Sequence, residues 1–461
     1  MSQIKCLSLV AGAGVSLTAA LTASAVTPVT NNDEVRAIVS EMLADADNRS
    51  SLLAAGGGGH DGGMFYLADA SGNFRLNVGG QVQFRYLLNF RDDIDGGPNA
   101  LPNRENDDFE SGFQTSNTRL WFTGNIVDPN LYYAIIGNFD SDTGGNFNLE
   151  EAYAGYKWDN GFSLQWGQFV LPFLREKLVA PWYQLAADRS LTNETFDQGY
   201  SQGIQLGYAS EDFRAMLAFS DGFRSANSQF GSVNSSPNGN FGFTGQGGES
   251  DWAITARVEF KFAGAWDQFK DFTSMPESQF AAMLGLAGHI EGSANDILVQ
   301  PDPADPTQDF QAETQFGGVT LDVSLEGDGW NLYAAGNVAF TDNSADAGNG
   351  ANNSTTDYGL VVQGGFFFPD TDWELFARYD GIFVDDDRNS GNNDSDDSFS
   401  TVTVGTNYYW SGHAAKFTFD VQYFIDNAND GLNTSANADI GYLGSGEDGE
   451  VTLRFQFQLL F

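Results

Sequence analysis

The chain has 461 residues, with 54 Gly, 39 Phe, 21 Lys and Arg, 62 Asp and Glu, and a formal net charge of −41. So acidic a chain lacks the basic footprint of a general nucleic-acid binder, and that class is excluded. With 14% aromatic residues it is not a disordered composition either, because disordered chains are poor in aromatics.

At the N-terminus, Lys5 is the only charge before Asp33. An apolar and small-residue run from Leu7 to about Leu21 leads to Ala23, Ser24 and Ala25, a small-x-small cleavage site. Residues 1–25 are therefore expected to be a signal peptide, with Val26 the first mature residue. The run is too short and too rich in Gly, Ser and Thr for a membrane helix, which needs about 20 apolar residues. Cys6 leaves with it, so the mature chain has no thiol chemistry. Loss of Lys5 leaves 20 basic residues against 62 acidic ones.

Residues 26–63 read as a separate module. Val35, Ile38, Val39, Met42, Leu43 and Ala46 recur at helical spacing, and Asn31 to Glu34 supply capping residues and first-turn acids. The stretch AAGGGGHDGG that follows reads as a flexible linker. The helix fits a short oligomerisation coil or a periplasmic tether, and equally a marginally ordered terminal helix, since it is under four heptads.

From Phe74 the pattern changes to strand after strand. In FRLNVGGQVQFRYLLNF (74–90), Phe74, Leu76, Val78, Val82, Phe84, Tyr86, Leu88 and Phe90 share one face, and Arg75, Asn77, Gln81, Gln83, Arg85 and Asn89 the other. Further strands are expected at 118–126, 131–139, 150–158, 162–170, 203–209, 213–220, 252–262, 280–290, 316–326, 330–340, 358–368, 373–384, 400–410, 416–424 and 451–461. Short connections (VDPN, WDNG, SED, GDG, PDTD, SGHA) alternate with long ones, as in a barrel with tight periplasmic turns and long outside loops. One turn, Ala263 to Gln279, should be short and is not, and reads as a periplasmic excursion with a helical turn. An open sheet of sixteen strands would leave edges that invite aggregation, and closure removes them. In lipid, closure also satisfies every backbone group. The expected fold is all-β: a 16-stranded antiparallel transmembrane β-barrel over 64–461, preceded by a short periplasmic helix.

A barrel of this size encloses a lumen wide enough for water and small solutes, and lumen charges then set selectivity. By alternation, Arg75, Arg85, Arg119, Lys157, Arg257, Lys261, Arg378 and Arg454 fall on the polar face. They are candidates for a pore-lining anion track. The competing reading is that they form lumen ion pairs with Glu151, Glu259, Glu374 and Asp380. The third outside connection, residues 171–202, carries Arg175, Lys177 and Arg189 among Glu176, Asp188, Glu194 and Asp197, with Pro172 and Pro181 limiting its freedom. In sixteen-strand porins the third loop commonly folds inward as a constriction; the alternative is an ordinary surface loop.

The outside loops are strongly acidic, as in DDIDGG from Asp92, the run ending at Asp397 and that ending at Asp439. None matches a full calcium loop with its closing Glu. A solvated, self-repelling surface is one reading, and divalent cations bridging the loops to anionic lipopolysaccharide is the other. No cofactor is otherwise expected. His60, His289 and His413 are scattered, and no nucleophile elbow, Walker loop or Cys nucleophile is present, so no enzyme is expected.

The chain closes on VTLRFQFQLLF, apolar at every second residue from Val451 to Phe461. This resembles the C-terminal assembly signal of outer-membrane barrels, which implies the barrel assembly machinery as a partner. Two longer patches, FYLADASGNFRLNVGGQVQFRYLLNFRDD with FESGFQTSNTRLWFTGNI, and LEEAYAGYKWDNGFSLQWGQFVLPFLREKL with RSLTNETFDQGYSQGIQLGY, resemble the phosphate-selective porin O and P family over about Phe65 to Asp221. The resemblance implies a sixteen-strand trimeric porin of the Gram-negative outer membrane, set in lipid and lipopolysaccharide. It also implies passage of small anions, with Arg75, Arg85 and Arg119 in matching strands and Arg175 and Lys177 in the matching loop. The expected function is a passive porin for small hydrophilic solutes with anion or phosphate preference. A general or cation-favouring porin with paired lumen arginines is the alternative within transport, and a structural or adhesive envelope barrel is the alternative outside it.

Overall fold

The computed structural model describes residues 57–92, 108–228, 250–299, 310–343, 354–385, 398–426, 440–444 and 448–461, less Gly62 and Asp142, together with Ser40. The expected signal peptide and all but one residue of the expected N-terminal helix lie outside the described residues, as do most of the acidic loop runs.

The described residues form eighteen strands in one sheet. Two short ones, β1 (Gly59–Asp61) and β2 (Met64–Ala68), make a hairpin. The other sixteen are β3 (Arg75–Phe90), β4 (Phe109–Ile126), β5 (Asp128–Asn138), β6 (Asn148–Lys157), β7 (Phe162–Val170), β8 (Tyr200–Ala209), β9 (Phe213–Ser220), β10 (Ser250–Ala263), β11 (Ala281–Val299), β12 (Phe310–Gly327), β13 (Trp330–Asn343), β14 (Ser354–Phe367), β15 (Trp373–Phe383), β16 (Ser398–Ser411), β17 (Ala415–Phe424) and β18 (Glu450–Leu460). Each expected strand is present in its expected place, several running further at the long-loop end. Every neighbour pairs antiparallel, and β18 returns to β3 from Val451↔Phe90 to Leu460↔Gln81, which closes the barrel.

Closure leaves the first residues of β3 without a partner from β18. The hairpin supplies one, since β2 pairs with that stretch from Phe65↔Val78 to Ala68↔Arg75. Part of the stretch expected to be a flexible linker is therefore strand: β1 needs only backbone to pair with β2, and its glycines do not prevent that. Phe461 completes the seam. Its backbone N–H and C=O bond to Gly80 at 3.1 and 2.8 Å, and its ring lies over Gly80, where a Cβ would come within 2.3 Å of Cζ. The expected excursion between β10 and β11 carries a 3-10 turn at Trp266–Lys270.

Large apolar side chains stand exposed on the outer face at alternating positions, among them Phe84, Trp166, Ile204, Phe219, Phe262 and Leu375. The inner face is not uniformly polar. Phe316, Ile382, Phe399 and Phe424 point inward and form one apolar cluster with Phe173, Leu191 and Phe196 of the third long connection and with Ile440 and Tyr442 of the last. Tyr333, Val361 and Phe376 form a second with Val179, Leu185 and Phe272. On β12–β17 the lumen wall is thus partly a packed core, which demands a chain segment inside the barrel to cover it.

A candidate constriction at the third long connection

That segment is residues 171–199, which join β7 to β8. It contains helix α1 (Arg175–Leu178), a 3-10 turn at Pro181–Tyr183 and helix α2 (Leu191–Phe196). Ser190 caps α2, its Oγ accepting from the Asn193 N–H at 2.9 Å. Such short helices are not stable alone; cross-links inside the segment hold them. Glu176 accepts from the Ser190 N–H and Oγ at 2.7 and 2.6 Å. Gln184 Nε2 donates to the Glu176 and Val179 carbonyls, both at 3.0 Å, and Arg189 donates to those of Glu176, Lys177 and Val179 at 3.1, 3.4 and 3.0 Å.

The segment then docks on the inside of the wall. The Ala187 N–H donates to Asp420 at 2.9 Å on β17, and the Leu191 N–H to Asp380 at 3.1 Å on β15. Asn407 Nδ2 on β16 donates to the Leu185 carbonyl, Lys416 Nζ on β17 to that of Gln184, and Gln458 on β18 to that of Trp182, at 3.0, 2.8 and 3.2 Å. The inward polar residues of β15–β18 are accordingly buried beneath it, Thr403, Asn407, Asp420 and Gln422 completely. The third loop therefore folds inward, as in the sixteen-strand pattern, and is not a surface loop.

Most of the expected anion-track residues face the lumen in ion pairs. Arg119 grips Glu150 with Nε and Nη2 at 2.7 and 2.8 Å. Arg257 grips Asp322 at 2.8 and 3.0 Å, Glu259 at 2.9 Å and the Phe173 carbonyl at 3.0 Å. Arg454 grips Asp420 at 2.7 and 3.0 Å. Arg85 binds the Asp188 carboxylate and the Ala187 carbonyl. Arg378 donates to the Asp188 carbonyl at 2.7 Å and lies 3.6 Å from Asp380 and 3.8 Å from Glu176. The other three lie toward the short-turn end: Arg75 pairs with Asp61 at 3.1 Å, Lys261 with Asp212 at 3.3 Å, and Lys157 sits 4.9 Å from the Tyr132 ring. Of the acids expected as partners, Glu259 and Asp380 take that role. Glu151 does not: a register shift beside Ile136 lets Glu150 reach Arg119 instead. Glu374 is held by Tyr409, Asn407 and Asn331 rather than by a cation. Asp322, Asp420 and Lys416 were missed, although alternation along 416–422 puts Lys416 and Asp420 on the polar face.

The three loop cations differ among themselves. Arg175 is buried against Ser324 and the Phe269 carbonyl, at 2.8 and 2.9 Å. Lys177 pairs with Asp197 at 2.7 Å. Arg189 is half-buried and held by carbonyls, with no carboxylate within 4.0 Å among the described residues. Burial pushes the Glu176 carboxyl above its ordinary range despite Arg378. Burial would raise Asp197 as well, but Lys177 and Arg224 hold it below that range.

The inward residues that keep exposure lie opposite, on β5–β8: Tyr132, Tyr153, Gln165 and Gln205 are half-buried and Lys157 is exposed. Across from them stands the half-buried edge of the loop, with Lys177, Trp182, Asp188, Arg189 and Glu194. This arrangement sets accessible polar side chains of the wall across from a charged edge of the loop. Among the described residues no group of three His, Cys, Asp or Glu is placed to hold a metal ion.

A closed sixteen-strand barrel with an apolar exterior and a third loop folded into its lumen defines an outer-membrane porin, a channel of the Gram-negative outer membrane. The chain belongs to the family described as phosphate-selective porin O and P, which matches residues 84–253 and 314–459. Among solved structures it is similar to the anion-selective porin from Comamonas acidovorans, at 12% identity and TM-score 0.51 over 84% of this chain and 99% of that one. It is similar also to Pseudomonas putida OprB, at 10% identity and TM-score 0.52 over 90% of this chain and 96% of that one. The outer membrane channel DcaP of Acinetobacter baumannii is a further likeness, at 12% identity and TM-score 0.52 over 85% of this chain and 99% of that one. Identities this low show a shared fold. No curated protein sequence matches the chain.

Proposed function

We propose that the protein is a passive diffusion channel for small hydrophilic solutes, in which the lumen arginines build the constriction and leave it weakly selective. The observation that carries this is pairing: Arg85, Arg119, Arg257, Arg378 and Arg454 each have a carboxylate within 4.0 Å. These guanidiniums are buried as well as paired, so they add little net charge to what a passing ion meets. The acidic outside loops add a field that concentrates cations at the mouth. A second reading, preference for phosphate or other anions, draws on the family and on Arg189, which is half-buried and has no carboxylate within 4.0 Å among the described residues. We further propose a homotrimer in lipid and lipopolysaccharide, assembled by the barrel machinery through Phe461, with divalent cations at the acidic loops and residues 1–25 removed.

The test is reversal potential across a planar bilayer in a potassium chloride gradient, followed by added phosphate. A potential near zero or mildly cation-selective, indifferent to phosphate, is expected. A strongly anion-selective current blocked by phosphate would establish the second reading. No current from correctly folded protein would overturn the channel and favour a structural envelope barrel.

A further inference from the structure

The β1–β2 hairpin reaches the constriction loop through Met64 of β2 and Trp121 of β4. Met64, the first residue of β2, is half-buried, and its Sδ accepts the Trp121 indole N–H of β4 at 3.1 Å. Trp121 is 8% exposed and stacks on Trp182 of the constriction loop, with ring centroids 4.8 Å apart and planes at 27°. Gly79 of β3 makes the room: a Cβ there would lie 2.1 Å from Trp121 Nε1 and 2.9 Å from Met64 Cγ. The hairpin is anchored in turn, because Arg75 of β3 pairs with Asp61 of β1 at 3.1 Å and lies 4.3 Å from the Tyr66 ring centroid of β2. Beyond Trp182, Gln458 of β18 holds the same residue's carbonyl at 3.2 Å.

We propose that Met64 is a positioning residue for permeation: acting through Trp121, it holds Trp182 and with it the edge of the constriction. The hairpin thus does more than complete the seam beside β3. It couples the hairpin to the edge of the loop, so that displacing the hairpin loosens the loop. This rests on residues 171–199 being the constriction.

The test is single-channel recording of the full chain at fixed voltage. Met64→Ala should raise the rate of spontaneous closures between about twofold and tenfold, the change expected from losing one sulfur–aromatic contact. Trp182→Ala should raise it at least as much, and the double variant no further than Trp182→Ala alone, because both act along one path. Met64→Leu, which keeps the bulk over Trp121 but leaves its N–H without this acceptor, should restore wild-type closures only in part, and Phe65→Ala, which changes the exposed neighbour, should leave them alone. A merely structural Met64 would lower the unfolding temperature without moving closure rates. Wild-type closures in Met64→Ala beside raised closures in Trp182→Ala would overturn the proposal and leave the constriction standing. Wild-type closures in both would overturn both. Should Met64→Ala fail to fold, Met64→Val carries the same expectation.

Discussion

Asp420→Asn is the most searching single change for the docked loop. Asp420 is fully buried, receives two hydrogen bonds from Arg454 at 2.7 and 3.0 Å, and accepts the Ala187 N–H of the loop tip at 2.9 Å. Removing one member of a buried pair leaves an uncompensated charge and typically costs about 3–5 kcal/mol. The amide keeps one acceptor oxygen, and Arg454 keeps the Ile440 carbonyl at 3.1 Å and Asp188 at 4.0 Å, so the lower end, about 3 kcal/mol, is expected. Asp61→Asn, which breaks the more exposed pair to Arg75, should cost about 1 kcal/mol or less. Urea unfolding in detergent micelles, followed by tryptophan fluorescence and by the heat-modifiable gel shift, measures both. A loss below about 1 kcal/mol for Asp420→Asn would refute the argument that this pair holds the loop to β17.

Other expectations follow from the same contacts. Asp188 is the most exposed member of the Arg85, Arg378, Arg454, Asp380 and Asp420 cluster, with 18% of its side chain accessible; Asp188→Asn should move the reversal potential toward anions without changing the barrel's heat-modifiable band. Gly79→Ala should cost roughly 1–3 kcal/mol through overpacking against Trp121, read as a lower unfolding midpoint. His413, in the turn between β16 and β17, is held neutral by burial, which outweighs Asp271 at 3.4 Å, with Lys416 also acting to lower it. Its depressed folded-state value means that stability is fully present above the ordinary imidazole range and lost as pH falls through that range. The unfolding temperature should therefore fall on acidification, and less steeply in His413→Gln; equal slopes would refute the assignment.

The sixteen strands were legible because one face of each meets lipid, which enforces alternation over many residues, as from Phe74 to Phe90. The hairpin was not: β1 is three residues of Gly, His and Asp, and its pairing follows from an unpartnered stretch of β3 that no local pattern announces. The ion pairs were half legible. Alternation places Arg119 on the polar face, but the register shift that exchanges Glu151 for Glu150 is a property of two strands together. The inward apolar clusters were the least visible. In WELFARYDGIFV, Leu375 faces out and Phe376 in, and a residue at either position reads simply as a strand residue until its cover is known. That cover, residues 171–199, has no periodicity of its own and is ordered by contacts with partners as far as 276 residues away in sequence.

The inward cores on β12–β17 divide the circumference into two regimes of tolerance. A change at Phe376, Phe399 or Tyr333 meets closely packed neighbours and is judged first by whether the barrel still assembles. A change at Gln165, Gln205 or Tyr132 meets water on one side and alters what the solute encounters, at little risk to assembly. New solute preferences can therefore arise by drift along four strands, while the opposite arc stays constrained as a scaffold.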